Sequence, residues 1–144
     1  RSVGNEDDNV SDLDVKYRLT QPEDVINFEN KTQCDALAIA IGNAHGLYTD
    51  KPNLQFDLLK KINMVSCIPL VLHGGSGTES SDLKLCVKNG INKVNLASEI
   101  HFDYVNSING KSFIMYKDLW FILKQKTKET VMKYIKILGS AGKG

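Results

Sequence analysis

Long apolar runs are missing from this sequence, and their absence excludes a first class of proteins. Runs such as Ala36 to Ile41 and Ile68 to Leu72 fall far below the roughly 20 residues that a bilayer-spanning helix needs, so no membrane partner is expected. A surplus of one charge is missing too. The 18 Lys+Arg stand against 17 Asp+Glu, a net charge of +1, whereas a dedicated nucleic-acid binder usually carries a positive excess clustered on one face. Cysteine is scarce: Cys34, Cys67 and Cys86 stand more than 15 positions apart, without the paired spacing of a metal or redox motif. They read as reduced thiols filling apolar positions, as in a cytosolic protein. No basic and apolar leader precedes the polar opening from Arg1 to Asp14, and the chain reads as a piece of a longer one.

What is present has the composition of one ordinary globular domain, 42% apolar and 24% charged over 144 residues. An eightfold βα barrel takes roughly 250 residues, about 31 per unit. At most four or five such units fit here, and a complete barrel does not.

The order of elements follows from periodicity. Residues 1–19 are acidic, with Glu6, Asp7, Asp8, Asp12 and Asp14 and few apolar anchors, and read as a loop. Thr20 to Glu23 combine a helix cap, Pro22 in the first turn and Glu23 at the third helical position. A helix is expected from there to about Asn30, burying Val25, Ile26 and Phe28. Asp35 to Gly42 is a near-continuous apolar run, the pattern of a strand buried on both faces in a parallel sheet. Leu54, Phe56, Leu58, Leu59 and Ile62 recur at helical spacing, and a second strand follows at Ile68 to Leu72. A helix over Thr78 to Lys88, with apolar Leu83, Leu85 and Val87, stops at Asn89-Gly90 before a third strand from Ile91 to Leu96. Strands separated by helical stretches over residues 20–110 imply βαβ units with right-handed crossovers. Helices are then expected over Ser98 to Ile108 and from Lys117 or later to Leu138. The helical region 111–144 holds eight Lys against Asp118 and Glu129, a face read as solvated rather than as a polyanion contact.

The unusual residues cluster just after the strands. The first run ends in Gly42-Asn43-Ala44-His45-Gly46, the second in His73-Gly74-Gly75-Ser76-Gly77, the third in Asn95-Leu96-Ala97-Ser98. In parallel α/β architectures the C-terminal strand ends form the ligand face, so three adjacent ends converge on one site. His45 and His73 occupy equivalent places on that rim and form a natural pair of metal ligands, since imidazole suits zinc. Structural histidines are the plainer alternative; His101, early in a helix, has no such company. The glycines after His73 let backbone N–H groups approach an anion, with a helix N-terminus beyond, although a merely tight turn would look the same. Asn95 and Ser98 add an amide and a hydroxyl to the rim.

These residues resemble a known family. Asp35 to Tyr48, Phe56 to Ile62, Pro69 to Gly77 and Lys93 to Glu99 look like the C-terminal half of class II, zinc-dependent ketose-bisphosphate aldolases, and Leu138 to Lys143 resembles the C-terminus of the fructose- and tagatose-bisphosphate branch. The resemblance implies an α/β fold, the C-terminal part of a TIM (β/α)8 barrel with about strands six to eight and their helices. It makes Gly4 to Asp8 similar to the mobile acidic loop after strand five. It implies that His45 and His73 are two of three histidine ligands to one Zn2+ per site. Gly46, Gly74, Gly75, Ser76, Asn95, Leu96, Ala97 and Ser98 correspond to segments holding dihydroxyacetone phosphate, with Asn95 at the enediolate. Carbonyls around Ala44, Gly46, Gly74 and Ser76 correspond to a monovalent-cation site for Na+ or K+. The resemblance further implies a cytoplasmic enzyme of glycolytic carbohydrate metabolism, a homodimer or homotetramer when full length.

The departures from the pattern are equally concrete. The family's general base is an Asp directly before the first zinc-binding His, and this sequence has no Asp-His dipeptide. The base and third ligand are therefore not among these residues, and the chain alone is expected to be inactive. Where the branch places a phosphate-binding Arg, the segment Met115 to Trp120 offers Lys117, which keeps the charge but loses bidentate geometry. A non-catalytic accessory subunit with the aldolase fold and a metal-free phosphate-binding module are the alternatives.

Overall fold

The structure, a computed structural model, describes residues 19–43, 52–113 and 115–143. The acidic opening loop, Ala44, His45 and Gly46 lie outside the described residues.

Eight elements follow in order: α1 (Pro22–Thr32), β1 (Leu37–Ile39), α2 (Phe56–Val65), β2 (Leu70–Leu72), α3 (Ser80–Lys88), β3 (Ile91–Val94), α4 (Ser98–Ile108) and α5 (Tyr116–Ile137). The strands form one parallel sheet in the order β1-β2-β3, an α/β arrangement that does not close. The chain divides into two compact units, one ending at Leu96 and one beginning at Ala97. No helix among the described residues is long and apolar enough to cross a membrane.

In the first unit the sheet register sorts side chains by face. Leu37, Leu70 and Ile91 stand in one row and Ile39, Leu72 and Val94 in another, while Ala38, Val71 and Lys93 share the opposite face. The register shifts between Leu70 and Val71. Asn92, the extra residue there, fills the gap by accepting the Leu70 N–H on Oδ1 at 2.9 Å. Ile39, Ile41, Leu70, Leu72 and Ile91 are buried, and Val25 of α1, Leu59 and Ile62 of α2, and Leu83 and Cys86 of α3 complete this core. Each such side chain contributes about 1.5–3 kcal/mol on burial.

The strands are shorter than the apolar runs Asp35–Gly42, Ile68–Leu72 and Ile91–Leu96, and the reason is hydrogen bonding. Beyond Ile39, the Ala40 N–H goes to Thr20 Oγ1 at 2.9 Å and the Ile41 N–H to Asn43 Oδ1 at 2.9 Å, so side chains take the donors a neighbouring strand would use. Pro69 has no N–H, which delays β2 to Leu70. Past Val94 the pairing continues one step, because Asn95 N–H donates to Leu72 O at 2.9 Å.

Three expectations need correction. Thr20 does not cap α1, because both its N–H, at 2.8 Å, and its hydroxyl are committed to Ala40. The cap is Gln21, whose N–H is accepted by Asp24 Oδ2 at 3.1 Å. In α1 only Val25 is buried; Ile26 and Phe28 are 42% and 48% exposed. One turn on from Val25 stands Glu29, whose carboxylate accepts the Ser66 hydroxyl at 2.5 Å and the Cys67 N–H at 3.1 Å. A polar clamp to the α2–β2 connection thus takes the place of a second apolar anchor. In α3 the inward pair is Leu83 and Cys86, with Leu85 and Val87 exposed, and of the three free thiols only Cys86 is buried while Cys67 is exposed.

The second unit is a helix pair joined largely by polar groups. The Thr130 hydroxyl donates to Asp103 Oδ2 at 2.5 Å, the Thr127 hydroxyl to the Tyr104 oxygen at 2.7 Å, and the Tyr134 hydroxyl to Glu99, which also accepts from Lys133 Nζ at 2.7 Å. Burial, reinforced by the Glu99 carboxylate beside it, holds the Tyr134 phenol well above its ordinary pKa. Lys126 pairs with Glu129, and Lys117 is exposed.

Candidate active site

The site is built where β2 stops. His73 directly follows the buried Leu72 and is held from both neighbouring strands. From the β1 side, the buried Asn43 donates through Nδ2 to the His73 carbonyl at 2.8 Å, while its Oδ1 accepts the Ile41 N–H. From the β3 side, the Asn95 amide nitrogen lies 3.1 Å from His73 Nε2. Two asparagines therefore fix this residue, one by its backbone and one by its ring.

The loop after His73 folds against the end of β3. Gly75 N–H donates to Asn95 O at 3.0 Å, and Thr78 N–H returns to Gly75 O at 3.3 Å, closing a turn around Ser76 and Gly77. Gly74 and Gly77 adopt φ of 63° and 78°, a region that favours glycine. Gly75 is glycine for lack of space, because a Cβ there would lie 2.5 Å from Val94 Cγ1 and 3.1 Å from Asn95 O. Ser76 is buried at the turn. This is a glycine loop with backbone amides close to the rim, followed by α3, the arrangement a phosphate can use.

Of the residues singled out in the sequence, His73, Gly75 and Asn95 come into direct mutual contact, and Gly74 and Ser76 lie on the same loop. Leu96 ends the first unit; Ala97 and Ser98 begin the second, with Ser98 the first residue of α4. His45 and Gly46 follow Asn43 by two and three residues, outside the described segment. His101 lies on α4, its ring centroid 6.3 Å from that of Tyr104. Asn43, which holds the His73 carbonyl, was given no role by the sequence beyond its place after the first apolar run and a glycine.

An imidazole is a chemically suitable zinc ligand; in His73 the backbone carbonyl is held by Asn43 and the ring is contacted by Asn95. No group of three His, Cys, Asp or Glu side chains is assembled among the described residues, which is the expected picture with one member of the histidine pair described.

A parallel βα segment with its polar residues gathered at the C-terminal strand ends has the ligand face of α/β proteins. The chain belongs to the class II fructose-bisphosphate aldolase family, whose model matches residues 2–143. It is 36% identical over 127 residues to YdjI of Escherichia coli K12, described as uncharacterized, covering 88% of this chain and 46% of YdjI. The crystal structure of that protein, there called the YdjI aldolase, superposes with a TM-score of 0.82 at 35% identity over 88% of this chain and 48% of that one. A Coccidioides immitis protein provisionally described as a fructose-1,6-biphosphate aldolase superposes with a TM-score of 0.87 at 28% identity, over 99% of this chain and 51% of that one. The chain thus spans about half the length of the relatives it matches.

Proposed function

We propose that the protein to which these residues belong is a zinc-dependent class II ketose-bisphosphate aldolase. It reversibly cleaves fructose 1,6-bisphosphate or tagatose 1,6-bisphosphate to dihydroxyacetone phosphate and glyceraldehyde 3-phosphate. The observation that carries this reading is the convergence of His73, the glycine loop and Asn95, with the Asn95 amide 3.1 Å from the His73 ring and its carbonyl tied to Gly75.

The division of labour follows from the donors present. His45 and His73 are the zinc ligands, and zinc supplies Lewis acidity at the ketone oxygen. The Gly74 to Ser76 loop lies at the phosphate end of the substrate and so fixes the reacting carbons. The Asn95 amide hydrogen-bonds to the enediolate oxygen as charge develops there. Carbonyls of the same loop, with those around Ala44 and Gly46, serve a monovalent cation. Proton abstraction needs a base at the substrate carbon; with no Asp-His dipeptide in this sequence, these residues bind and orient, and the chain alone is inactive. The full-length enzyme is a cytoplasmic homo-oligomer in this reading.

Zinc titration of the intact protein and of its His45→Ala and His73→Ala variants tests the reading, together with release of dihydroxyacetone phosphate from each bisphosphate. Zinc affinity is expected to fall at least about tenfold in each variant, with loss of cleavage. Unchanged zinc affinity in both variants refutes it.

A further inference from the structure

Lys93 is the one charged residue in the three strands, and the register places it beneath the site. It stands in a row with Val71 and Ala38. Side chains alternate along a strand, so His73, two residues beyond Val71, and Asn95, two beyond Lys93, continue the same face, as the 3.1 Å contact between their side chains shows. Two strand residues advance about 6.6 Å. Lys93 therefore lies one layer below the rim where His73 and Asn95 meet.

The other face of the sheet is taken by helices. Right-handed crossovers between strands in the order β1-β2-β3 bring α2 and α3 to one side, where Leu59, Ile62, Leu83 and Cys86 are buried with Ile39, Leu70, Leu72 and Ile91. On the side of Lys93 the central Val71 is buried, whereas Ala38 and Lys93 on the two outer strands are exposed. Among the described residues no hydrogen bond or ion pair engages the Lys93 ammonium. By contrast, Lys60, Lys126 and Lys133 on the helices have carboxylate partners.

Two physical facts narrow what can cover this face. All-parallel sheets occur with both faces packed, so Ala38 and Val71 call for an apolar layer. That layer would enclose an ammonium as well, and lysine is almost never fully buried unless paired; an unpaired buried charge is far costlier than an unpaired polar group. The covering residues must therefore be apolar around Ala38 and Val71 and carry an anion opposite Lys93. The three strands hold no carboxylate of their own. The relatives have about as many residues again outside the matched half, material for further βα units. The glycine loop suited to a phosphate follows the end of β2, above this layer, which points to a protein carboxylate rather than to substrate.

We propose that the face carrying Ala38, Val71 and Lys93 is covered by further βα units of the same polypeptide, and that an Asp or Glu on the inward face of one of their strands pairs with Lys93. The pair ties the strand that leads to Asn95 to the covering half, beneath the site. The inference rests on the family's barrel fold and on neither the zinc nor the substrate of the reading above.

A crystal structure of the intact protein and urea denaturation of its Lys93 variants test the proposal. A carboxylate oxygen of the same chain is expected within about 4 Å of Lys93 Nζ. A carboxylate of another chain, a bound anion, or water alone at the ammonium overturns it, with no variant required to fold. Lys93→Met orphans the carboxylate and should raise the unfolding equilibrium constant about 150–5,000-fold. Changing the partner found in the structure to its amide as well should reverse about tenfold or more of that rise. An unfolding constant for Lys93→Met within about twofold of wild type, or strictly additive losses in the double variant, overturns the pair and leaves the zinc-aldolase reading standing. Intact protein that neither binds zinc nor cleaves a bisphosphate overturns that reading and leaves the pair.

Discussion

Replacing Gly75 by alanine probes how closely the glycine loop must approach β3. The added Cβ would lie 2.5 Å from Val94 Cγ1, 3.1 Å from Asn95 O and 3.1 Å from Leu96 Cδ2. Carbon atoms pack at about 3.5–4.0 Å, so the loop must retreat by about 1 Å or Val94 must leave its rotamer. Overpacking of this kind costs about 1–3 kcal/mol. Retreat also stretches the 3.0 Å bond from Gly75 N–H to Asn95 O, and a buried donor left unpaired costs a further 1–3 kcal/mol or so. The sum, about 2–6 kcal/mol, is measurable by urea denaturation of the intact protein. Removing the obstacle should restore part of it: in Gly75→Ala/Val94→Ala the loss should fall short of the two single losses added together by about 0.5–3 kcal/mol. Because Asn95 moves with the loop, affinity for dihydroxyacetone phosphate should fall in the single variant and recover in the double. A Gly75→Ala protein within about 0.5 kcal/mol of wild type, or strictly additive losses in the double variant, would refute the close-approach explanation.

Two further outcomes follow from buried groups. Asn43→Leu removes the partners of both the Ile41 N–H and the His73 carbonyl. It should cost about 2–6 kcal/mol in chemical denaturation, at about 1–3 kcal/mol for each orphaned group, and Asn43→Asp should recover only the Ile41 share. For Cys86, burial first and the Asp82 carboxylate second push the thiol up to about 11. A raised folded-state pKa means that the stabilisation is complete below the unfolded thiol's value of about 8.5 and is lost as pH rises through about 11. Between pH 8 and 11 wild type should therefore lose on the order of 2 kcal/mol more than Cys86→Val in denaturant titrations. Parallel loss in the two proteins would contradict the buried-thiol explanation.

Much of the fold was legible because buried parallel strands favour apolar runs, which Ala36 to Ile41 and Ile68 to Leu72 supply; only β2 is buried on both faces, while β1 leaves Ala38 exposed and β3 carries the exposed Asn92 and Lys93. Helix α4 begins and ends where its polar start and Asn109-Gly110 stop place it. The candidate site was legible for the same reason. When strands end in glycine beside histidine or asparagine, parallel topology alone gathers those residues at one rim, as it does for His73, Gly75 and Asn95. Family membership followed from the order of those motifs along the chain.

Other features depended on partners distant in sequence, which a local pattern does not encode. Thr20 has every local attribute of a helix cap, yet it bonds Ala40, twenty residues away, and leaves the cap to Gln21. Leu85 and Val87 are as apolar as Leu83, but the rotation of α3 turns Leu83 and Cys86 inward. Asn43 looked like a loop residue until the third dimension set its amide between two strand ends. The sequence by itself determined the class of fold, the segments that build it and the residue types at the rim, because periodicity and motif order are properties of the chain. Only the tertiary structure decided where each strand stops, which face each helix buries and which asparagine holds which part of His73. Several of those are settled by competition for a hydrogen-bond donor or for space between residues distant in sequence, as with Thr20 and Ala40 or Asn43 and His73.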